Sequence, residues 1–553
     1  IEPKERVEHM KKRIPVGLKD YEKLRNGNYY VVDKTLMIKD FLERGNEVTL
    51  ITRPRRFGKT INMSMMAEFF DITKNSKKLF KNTKIINTEY VSEMNQYPTV
   101  FISFADAKGD KDIVTKHIKS YFRSLYNDYD FIFKNLTRLE TYDYETIING
   151  LTNEKIELKH ISDSLAFLMR ILEKYYSKKV MVFIDEYDTP FIEAHLGGFY
   201  EEIRDGLSSM LHNALKTSTS LQYAMMTGIQ RVAKENIFSD LNNLVVCTVK
   251  DPEYAQYFGF TEEETKEALE YYDMSLNSEV KSMFNGYHFG NNEIYNPWSV
   301  LNYASRKVLE PYWINTSSNE MIKKAMESSD DAFNRGYEEL IQTGKLETLV
   351  RMETSFFEMN STSSLWGLLV NAGYLTISKI ISNQEGLYVI KVPNQEVQQE
   401  FQKLTAHYLK VAGTDLFTMF SALKRRKKED FKDKYQRILL TLPSYHDLKD
   451  ENSYHMMLLG MCAWLCHDYK IISNREVGKG RCDIVLKARK ENQISYILEF
   501  KYAKDSNTDL KELAKTAVEQ IKDRKYDTEI SGKIIYIGLA HYQKNVEIEW
   551  QEK

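Results

Sequence analysis

An apolar run leads into a loop rich in basic residues in the stretch Val48-Thr49-Leu50-Ile51-Thr52-Arg53-Pro54-Arg55-Arg56-Phe57-Gly58-Lys59-Thr60. An apolar stretch of helical character follows, from Ile61 to Phe70. This order predicts a strand, a phosphate-binding loop and a helix. Gly58 lets the backbone approach a polyphosphate, Lys59 reaches its oxygens, Thr60 ligates Mg²⁺, and the positive end of the helix faces the anion. The sequence therefore predicts a nucleotide site.

A second stretch ends an uninterrupted apolar run with acidic residues, in Lys179-Val180-Met181-Val182-Phe183-Ile184-Asp185-Glu186-Tyr187-Asp188. Such a run is typical of a buried parallel strand. Asp185 would lie at the carboxyl end of that strand and hold Mg²⁺, while Glu186 would orient and deprotonate an attacking water. The alternative is a core strand that ends in solvated acids. The occurrence of Asp185 and Glu186 together with Gly58-Lys59-Thr60 favours the nucleotide site over this alternative.

A third strand is predicted from Leu221 to Gly228, and its last side chain is that of a small polar residue, Thr227. Thr227 is a candidate to sense the γ-phosphate, and Arg231 is a candidate to stabilise transition-state charge, in cis or in a neighbouring subunit. A threonine that ends a core strand and a solvated arginine are the alternatives.

The loop departs from the full pattern G-x-x-x-x-G-K-[ST], because Arg53 stands where the first glycine is expected. We expect Arg55 or Arg56 to replace the missing backbone contacts to phosphate. The alternative is that both face solvent or pair with acids.

Bulk composition excludes several classes of protein. The 553 residues exceed a single core, and 77 Lys+Arg against 79 Asp+Glu give a net charge of −2, without a global attraction to nucleic acid. The four cysteines, at 247, 462, 466 and 482, lack paired C-x-x-C spacing, which argues against a disulfide framework or a zinc site. No apolar run approaches the ~18 residues of a membrane span, and no signal peptide is visible. We expect a cytoplasmic protein without a membrane partner.

Three domains are predicted along the chain: residues 1–250, 251–420 and 421–553. Tyr29 to Thr35 is predicted as a short strand before a helix through Leu42 in the first domain. In the middle region, a helix from Leu365 to Ala372, a hairpin around Ser382 to Gly386 and a further helix suggest a winged-helix element. Such an element either binds DNA or couples domains rigidly.

A second chemical centre lies near the carboxyl end. Asp483 opens a predicted strand in Arg481-Cys482-Asp483-Ile484-Val485-Leu486, and Glu499 and Lys501 end another in Ile494-Ser495-Tyr496-Ile497-Leu498-Glu499-Phe500-Lys501. Alternation along a strand turns Glu499 and Lys501 to the same face, and a hairpin would bring Asp483 to them. Two carboxylates and a lysine suit a Mg²⁺ site for phosphodiester hydrolysis. Solvated strands that carry this pattern by chance are the alternative.

Two flanking helices supply further candidates for the same site. Glu451 would begin the preceding helix and contribute another carboxylate, while Gln520 would turn inward from the following one.

Taken together, these motifs resemble the bacterial AAA-ATPase-like proteins that carry a carboxyl-terminal PD-(D/E)XK nuclease-superfamily domain. The resemblance covers nearly the whole chain and rests on Arg53 to Thr60, Phe183 to Asp188, Phe284-Asn285-Gly286-Tyr287-His288-Phe289-Gly290 with Tyr295 to Ser299, and Asp483 with Glu499-Phe500-Lys501. In that family R-P-R-R-F-G-K-T is the usual loop.

The resemblance implies roles for particular residues. Lys59 and Thr60 would bind nucleotide phosphate and Mg²⁺, and Asp185 and Glu186 would form the acidic motif. The nuclease triad would be Asp483, Glu499 and Lys501, with Cys482 where the superfamily often has proline.

We therefore expect an α/β protein with a parallel-sheet, AAA-like P-loop ATPase domain, a helical and winged-helix middle region, and a carboxyl-terminal α/β nuclease-like domain. Its cofactors would be ATP and Mg²⁺, with Mn²⁺ as an alternative at the nuclease site. Nucleic acid, DNA rather than RNA, is the expected partner, and a homo-oligomer is left open. Defence against foreign DNA or maintenance of a mobile element is the suggested biology. The alternative is a nucleotide-dependent switch or scaffold whose last domain binds nucleic acid without cleaving it.

Overall fold

The computed structural model describes residues 11–232, 243–313, 318–327, 330–354, 361–408, 411–441, 451–465, 468–477, 480–490, 492–528 and 530–553. The chain packs as two compact units, one of Ile1–Met321 with Thr348–Asn394 and one of Ile322–Glu347 with Gln395–Lys553. The three-domain division at residues 250 and 420 stays a prediction.

The first unit is built on a parallel sheet of five strands, in the order β2-β3-β4-β1-β6. The strands from the start of the chain to residue 294 are β1 (Val48–Thr52), β2 (Thr99–Ser103), β3 (Val180–Asp185), β4 (Leu221–Gly228), β5 (Arg231–Val232), β6 (Leu244–Cys247), β7 (Tyr287–Phe289) and β8 (Asn292–Ile294). Every residue of β1 and β3 is buried, as their uninterrupted apolar runs predict. Because the strands are parallel, the ends of β1, β2, β3 and β4 meet at one edge of the sheet.

Helices cover this sheet and the segments around it. They are α1 (Tyr21–Asn26), α2 (Leu36–Arg44), α3 (Lys59–Phe70), α4 (Lys111–Asp128), α5 (Arg138–Thr152), α6 (Ser164–Tyr176), α7 (Thr189–Gly197), α8 (Tyr200–Ile203), α9 (Ser209–His212), α10 (Glu262–Tyr271), α11 (Ser278–Phe284), α12 (Pro297–Arg306) and, after the next two helices of the chain, α15 (Thr362–Ala372). Of those two, α13 (Ser318–Glu327) contains the division after Met321, and α14 (Asp331–Thr343) belongs to the second unit. The helix α3 buries Met63, Met66 and Phe70 in a core that includes Phe183 of β3. The predicted strand–loop–helix order is confirmed.

The short strand predicted from Tyr29 to Thr35 does not form. Its backbone makes a single bridge, between Arg13 and Tyr29. Asp33 then accepts hydrogen bonds from the amide and the hydroxyl of Thr35, at 2.9 and 2.7 Å, and this turn leads directly into α2. A side chain that captures the backbone competes with strand pairing.

The middle of the chain contains the predicted helix, hairpin and helix. After β9 (Lys345–Leu349) and β10 (Glu353–Thr354), helix α15 precedes the antiparallel pair β11 (Thr376–Ser382) and β12 (Leu387–Lys391), and α16 (Gln395–Tyr408) follows. The order of elements is confirmed, whereas a role in binding DNA or in coupling domains stays a prediction.

The second unit carries a five-stranded mixed sheet in the order β13-β14-β15-β16-β17. Its later elements are α17 (Gly413–Lys424), α18 (Lys428–Thr441), α19 (Glu451–Cys462), β13 (Tyr469–Val477), β14 (Gly480–Ala488), β15 (Ser495–Tyr502), α20 (Leu510–Arg524), β16 (Ile534–Tyr542) and β17 (Asn545–Glu552). Strands β15 and β16 are parallel, with α20 as the crossover, and the other pairs are antiparallel. Gly538 lets α20 lie against β16, since an added Cβ would stand 2.1 Å from the carbonyl oxygen of Ala514.

Candidate functional site

The loop between β1 and α3 leads directly into the amino-terminal end of the helix. Gly58 adopts the left-handed region at φ 81° and caps α3, which begins at Lys59. The Lys59 ammonium donates hydrogen bonds to the carbonyl oxygens of Arg53 and Pro54, at 2.9 and 2.8 Å. Burial lowers the pKa of Lys59, while Glu186 and Asp185 act in the opposite direction. The loop thus holds a desolvated cation beside the first turn of a helix.

Arg53, at the position of the missing glycine, turns away from this loop into the core. It is fully buried, and its guanidinium donates to the carbonyl oxygens of Thr52 at 2.8 Å, Cys247 at 3.0 Å and Glu253 at 3.2 Å. Burial lowers the pKa of Arg53 to about 10. The arginine therefore ties the start of the loop to the segment that follows β6.

The next residues of the loop contact the segment around β7 and α12. Arg56, at φ 70°, places its guanidinium 3.8 Å from the ring centroid of Trp298. Phe57 is buried, with its ring centroid 4.9 Å from that of Tyr287 and 5.0 Å from that of Phe289. The loop motif is therefore in direct contact with both aromatic motifs, at residues 284–290 and 295–299.

Arg55 and Arg56 differ in their surroundings. Arg55 is half-buried, and its charge lowers the pKa of Lys59. Arg56 is exposed and stacked on Trp298. That either arginine contacts phosphate stays a prediction.

Asp185 brings together hydroxyl groups from three other segments. Its Oδ2 accepts from Thr60 Oγ1 at 2.7 Å and its Oδ1 from Thr227 Oγ1 at 2.6 Å, and Ser103 Oγ lies 3.5 Å from Oδ2. Asp185 is fully buried, and burial raises its pKa while the two threonine hydroxyls lower it. The predicted residues Thr60, Asp185 and Thr227 are thus adjacent, and their oxygens are the donors that Mg²⁺ prefers. Ser103 was missed, although its place at the end of β2 could have indicated it.

Glu186 follows in an unusual backbone conformation. Its φ is 51°, its side chain is half-buried, and its Oε2 accepts from Thr189 Oγ1 at 3.2 Å. Asp188, the last acid of the motif, is buried, and burial raises its pKa to about 6. Asp188 has no predicted role, although its place in D-E-Y-D could have suggested one.

Arg231 lies on β5 and forms an ion pair with Glu353 on β10, which pairs in parallel with β5. The carboxylate of Glu353 accepts a hydrogen bond from Arg231 Nη1. A part in stabilising transition-state charge stays a prediction.

The second site lies on β14 and β15, which pair as the predicted antiparallel hairpin, with Ile484 opposite Leu498. The backbone amide of Phe500 donates to Asp483 Oδ2 at 2.8 Å. Lys501 Nζ lies 3.9 Å from Glu499 Oε1. Burial raises the pKa of Asp483, whereas the Phe500 amide and the Lys501 ammonium lower it. Asp483, Glu499 and Lys501 therefore form one cluster, as the sequence predicts.

The flanking helices support this cluster. Gln520 on α20 donates a hydrogen bond from Nε2 to Glu499 Oε1. On α19, His455 is buried, and its Nε2 lies 3.0 Å from the carbonyl oxygen of Asp483, so that this nitrogen carries the proton. His455 was not predicted. Glu451 begins α19, and its side chain lies outside the described residues.

Among the described side chains, no group of three or more His, Cys, Asp or Glu residues has the arrangement of a metal site. Each candidate site instead pairs carboxylates with other polar groups, two hydroxyls in the first and a lysine and an amide in the second. Within the described part of the chain, no helix has the length and hydropathy to cross a membrane.

Comparison with known proteins identifies a domain family for each of two parts of the chain. Residues 15–238 match the family model of a predicted AAA-ATPase, and residues 449–551 match that of the PD-(D/E)XK nuclease superfamily. The chain is also 26% identical, over 407 residues, to an uncharacterized protein in the vnfD 5′ region of Azotobacter chroococcum mcd 1, which covers 72% of this chain and 71% of that protein. The resemblance seen in the sequence is thus confirmed: the chain joins an amino-terminal domain of the predicted AAA-ATPase type to a carboxyl-terminal domain of the PD-(D/E)XK nuclease superfamily.

Proposed function

We propose that the protein binds and hydrolyses ATP at the first site and cleaves nucleic-acid phosphodiesters at the second, with the nucleotide state controlling cleavage. One observation carries the ATPase proposal. The hydroxyls of Thr60 and Thr227 converge on the two oxygens of Asp185, next to the turn from Gly58 into Lys59. This arrangement supports a site for a nucleotide and its divalent ion.

At this site, the Lys59 ammonium would exchange the carbonyl oxygens of Arg53 and Pro54 for phosphate oxygens. Thr60 and Asp185 would hold Mg²⁺, which screens phosphate charge when bound. Glu186 would take a proton from the attacking water, and Thr227 would sense the γ-phosphate. Charge on the phosphates would also be met by Arg55 or Arg56, and by Arg231 once it leaves Glu353.

At the second site, Asp483 and Glu499 would hold a divalent ion, Mg²⁺ or Mn²⁺, which supplies an activated water and screens the phosphate. Lys501 would position that water or stabilise the developing anion. Gln520 fixes one oxygen of Glu499, and the Phe500 amide fixes one oxygen of Asp483. Glu451, at the start of α19, is a further candidate ligand.

The proposed substrate is DNA rather than RNA, and the proposed setting is the cytoplasm, in defence against foreign DNA or in maintenance of a mobile element. A homo-oligomer would allow Arg231 to act in a neighbouring subunit. The matched nuclease superfamily supports a nucleic-acid substrate.

Nucleotide binding and hydrolysis test the first half of the proposal. Lys59→Ala removes the buried cation, so we expect ATP affinity to fall strongly in calorimetry, whereas Lys77→Ala, at an exposed position of the same unit, leaves it unchanged. Glu186→Gln keeps the shape but removes the base, so it should bind ATP normally and hydrolyse it about 10²-fold more slowly. Unchanged ATP affinity in Lys59→Ala would contradict the loop assignment.

A further inference from the structure

Four hydrogen bonds join residues 186–188, which we call the acidic turn, to residues 227–230, which we call the sensor turn. The amide of Tyr187 donates to the carbonyl oxygen of Thr227 at 3.0 Å, and the Tyr187 hydroxyl donates to that of Gln230 at 2.8 Å. Asp188 Oδ2 accepts from the amides of Ile229 and Gln230, at 2.8 and 3.1 Å. One carboxylate oxygen therefore satisfies two successive amides of the sensor turn.

This junction is tightly packed. Asp188 is 1% exposed, and a Cβ added to Gly228 would stand 2.7 Å from the Tyr187 ring and 2.9 Å from Asp188 Cγ. The two turns are in contact with no space for a side chain between them. A shift of one turn must therefore move the other.

Both turns carry residues of the proposed ATPase site. Thr227, at the start of the sensor turn, donates to Asp185 at 2.6 Å, and Glu186 begins the acidic turn. Glu186 has φ 51°, a conformation that residues with a Cβ seldom adopt without support from their surroundings. The Tyr187 amide bond to Thr227 and the Asp188 carboxylate lie directly after Glu186 and supply that support.

We propose that Asp188 is a positioning residue for ATP hydrolysis: by holding the amides of Ile229 and Gln230, it fixes Thr227 against Asp185 and keeps Glu186 aimed at the attacking water. The inference rests on the proposed ATPase function. Asp188 itself touches neither nucleotide nor water in this account. Its removal should therefore affect turnover more than binding.

Steady-state kinetics of the full chain test this role. Asp188→Ala should lower kcat by about 10²-fold, the scale for a misaligned catalytic group, with little change in KM or in the affinity for a fluorescent ATP analogue. Asp188→Asn keeps an acceptor oxygen but loses its charge, so its kcat should lie between those of wild type and Asp188→Ala. Asp509→Ala is the matched control. Asp509 also accepts two backbone amides, those of Lys511 and Glu512, at the start of α20, and its loss should leave kcat for ATP unchanged.

Hydrogen exchange supplies a readout that does not need activity. The amides of Ile229 and Gln230 should exchange faster in Asp188→Ala than in wild type, while those at the start of α20 exchange at the wild-type rate. Wild-type exchange at these two amides, or a wild-type kcat in Asp188→Ala, would overturn the inference. If Asp188→Ala fails to fold, Asp188→Asn decides: reduced kcat at unchanged affinity supports the role, and wild-type kcat refutes it.

The same experiment separates this inference from the proposal on which it rests. If wild type hydrolyses ATP and Asp188→Ala does so at the same kcat, the positioning role alone is wrong. If wild type neither binds the analogue nor hydrolyses ATP, the ATPase function fails, and the positioning role fails with it.

Discussion

Arg53 stands at the position where the full loop pattern has its first glycine, and its side chain does not enter the loop. A glycine is needed where a side chain would block the approach of phosphate, but the Arg53 side chain points into the core and donates to three carbonyl oxygens. The rings of Phe258 and Phe289 lie 5.7 and 5.3 Å from its guanidinium carbon. Arg53 thereby stabilises the loop through contacts in the core.

Loss of this arginine should destabilise the protein. Arg53→Ala leaves the carbonyl groups of Thr52, Cys247 and Glu253 without their donor and opens a cavity, so we expect a loss of roughly 3 kcal/mol or more. Arg56→Ala, which removes only an exposed guanidinium stacked on Trp298, should cost about 1 kcal/mol or less. Thermal denaturation of the full chain compares the two. Equal midpoints in both variants would contradict the structural role of Arg53.

At the nuclease-like site, we expect substitutions of the individual side chains to have different effects. Asp483→Ala and Glu499→Ala remove proposed metal ligands and should abolish both Mn²⁺ binding and cleavage. Lys501→Ala should retain Mn²⁺ binding but lose turnover, because charge stabilisation at phosphate is worth several kcal/mol. Lys504→Ala, an exposed lysine three residues away, is the control and should cleave normally. Cleavage by Asp483→Ala at the wild-type rate would exclude this site.

The sequence predicts that the candidate residues of the first site lie close together, but not which other residues hold them in place. Thr60, Asp185 and Thr227 were predictable because each closes or follows a buried parallel strand, and such strand ends meet. The destination of Arg53 was not predictable, since its partners Cys247 and Glu253 lie about two hundred residues further along the chain. The contacts of Asp188 likewise depend on how β4 turns after Thr227.

Among the elements, several strands with apolar runs were predicted, but the buried apolar run of β16 was not. β1, β3, β4, β14 and β15 lie where the sequence predicts them, whereas β6, β13, β16 and β17 were missed. β13 mixes polar residues into its pattern, and β6 has only four residues, so neither gives a strong periodic pattern. Tyr29 to Thr35 shows the reverse error, because its β-branched and aromatic residues precede a turn that Asp33 imposes.

The strand β16 carries a buried histidine that makes the second unit sensitive to acid. His541 is fully buried, lies 3.0 Å from the Tyr435 hydroxyl and stacks on Tyr454 with ring centroids 4.0 Å apart. Burial lowers the pKa of His541 from 6.5 to about 3. Between these values the unfolded chain binds more protons than the folded chain. Stability is therefore lost as the pH falls through this window.

Replacing His541 should reduce that sensitivity. His541→Gln cannot be protonated, so the loss of unfolding free energy between pH 6.5 and pH 4 should be smaller than in wild type, by on the order of 3 kcal/mol. Thermal midpoints of both chains at the two pH values measure the difference. An identical pH dependence in wild type and variant would show that His541 does not stay neutral when buried.

At the scale of the whole molecule, the chain combines two units, each with its own sheet and its own cluster of carboxylates. The sequence predicts both clusters because each belongs to a motif with local strand context. The boundaries of the two units depend on packing between residues that are distant in the chain. Local sequence patterns therefore do not predict these boundaries. Segment Thr348–Asn394, which packs with the first unit, illustrates this.

The claim that joins the two units is that the nucleotide state controls cleavage. Two working sites alone do not establish coupling. Coupling also requires that ATP bound at the nucleotide site changes the cleavage rate at the other site. Asp483→Ala should therefore lose cleavage and keep ATP hydrolysis, which separates the two activities. Lys59→Ala should keep its fold but lose the response of cleavage to ATP.

The most direct test is the rate of DNA cleavage with Mg²⁺ or Mn²⁺, measured for wild type and Lys59→Ala with and without ATP on single-stranded, double-stranded and structured substrates. The account predicts that ATP changes the rate in wild type and has no effect in Lys59→Ala. If both proteins cleave at the same rate in the presence and absence of ATP, the proposed control of cleavage is wrong even though the cleavage site works. If wild type cleaves no substrate under any condition, the nuclease proposal is wrong. The alternative, a nucleotide-dependent switch that binds nucleic acid without cleaving it, then becomes the better account.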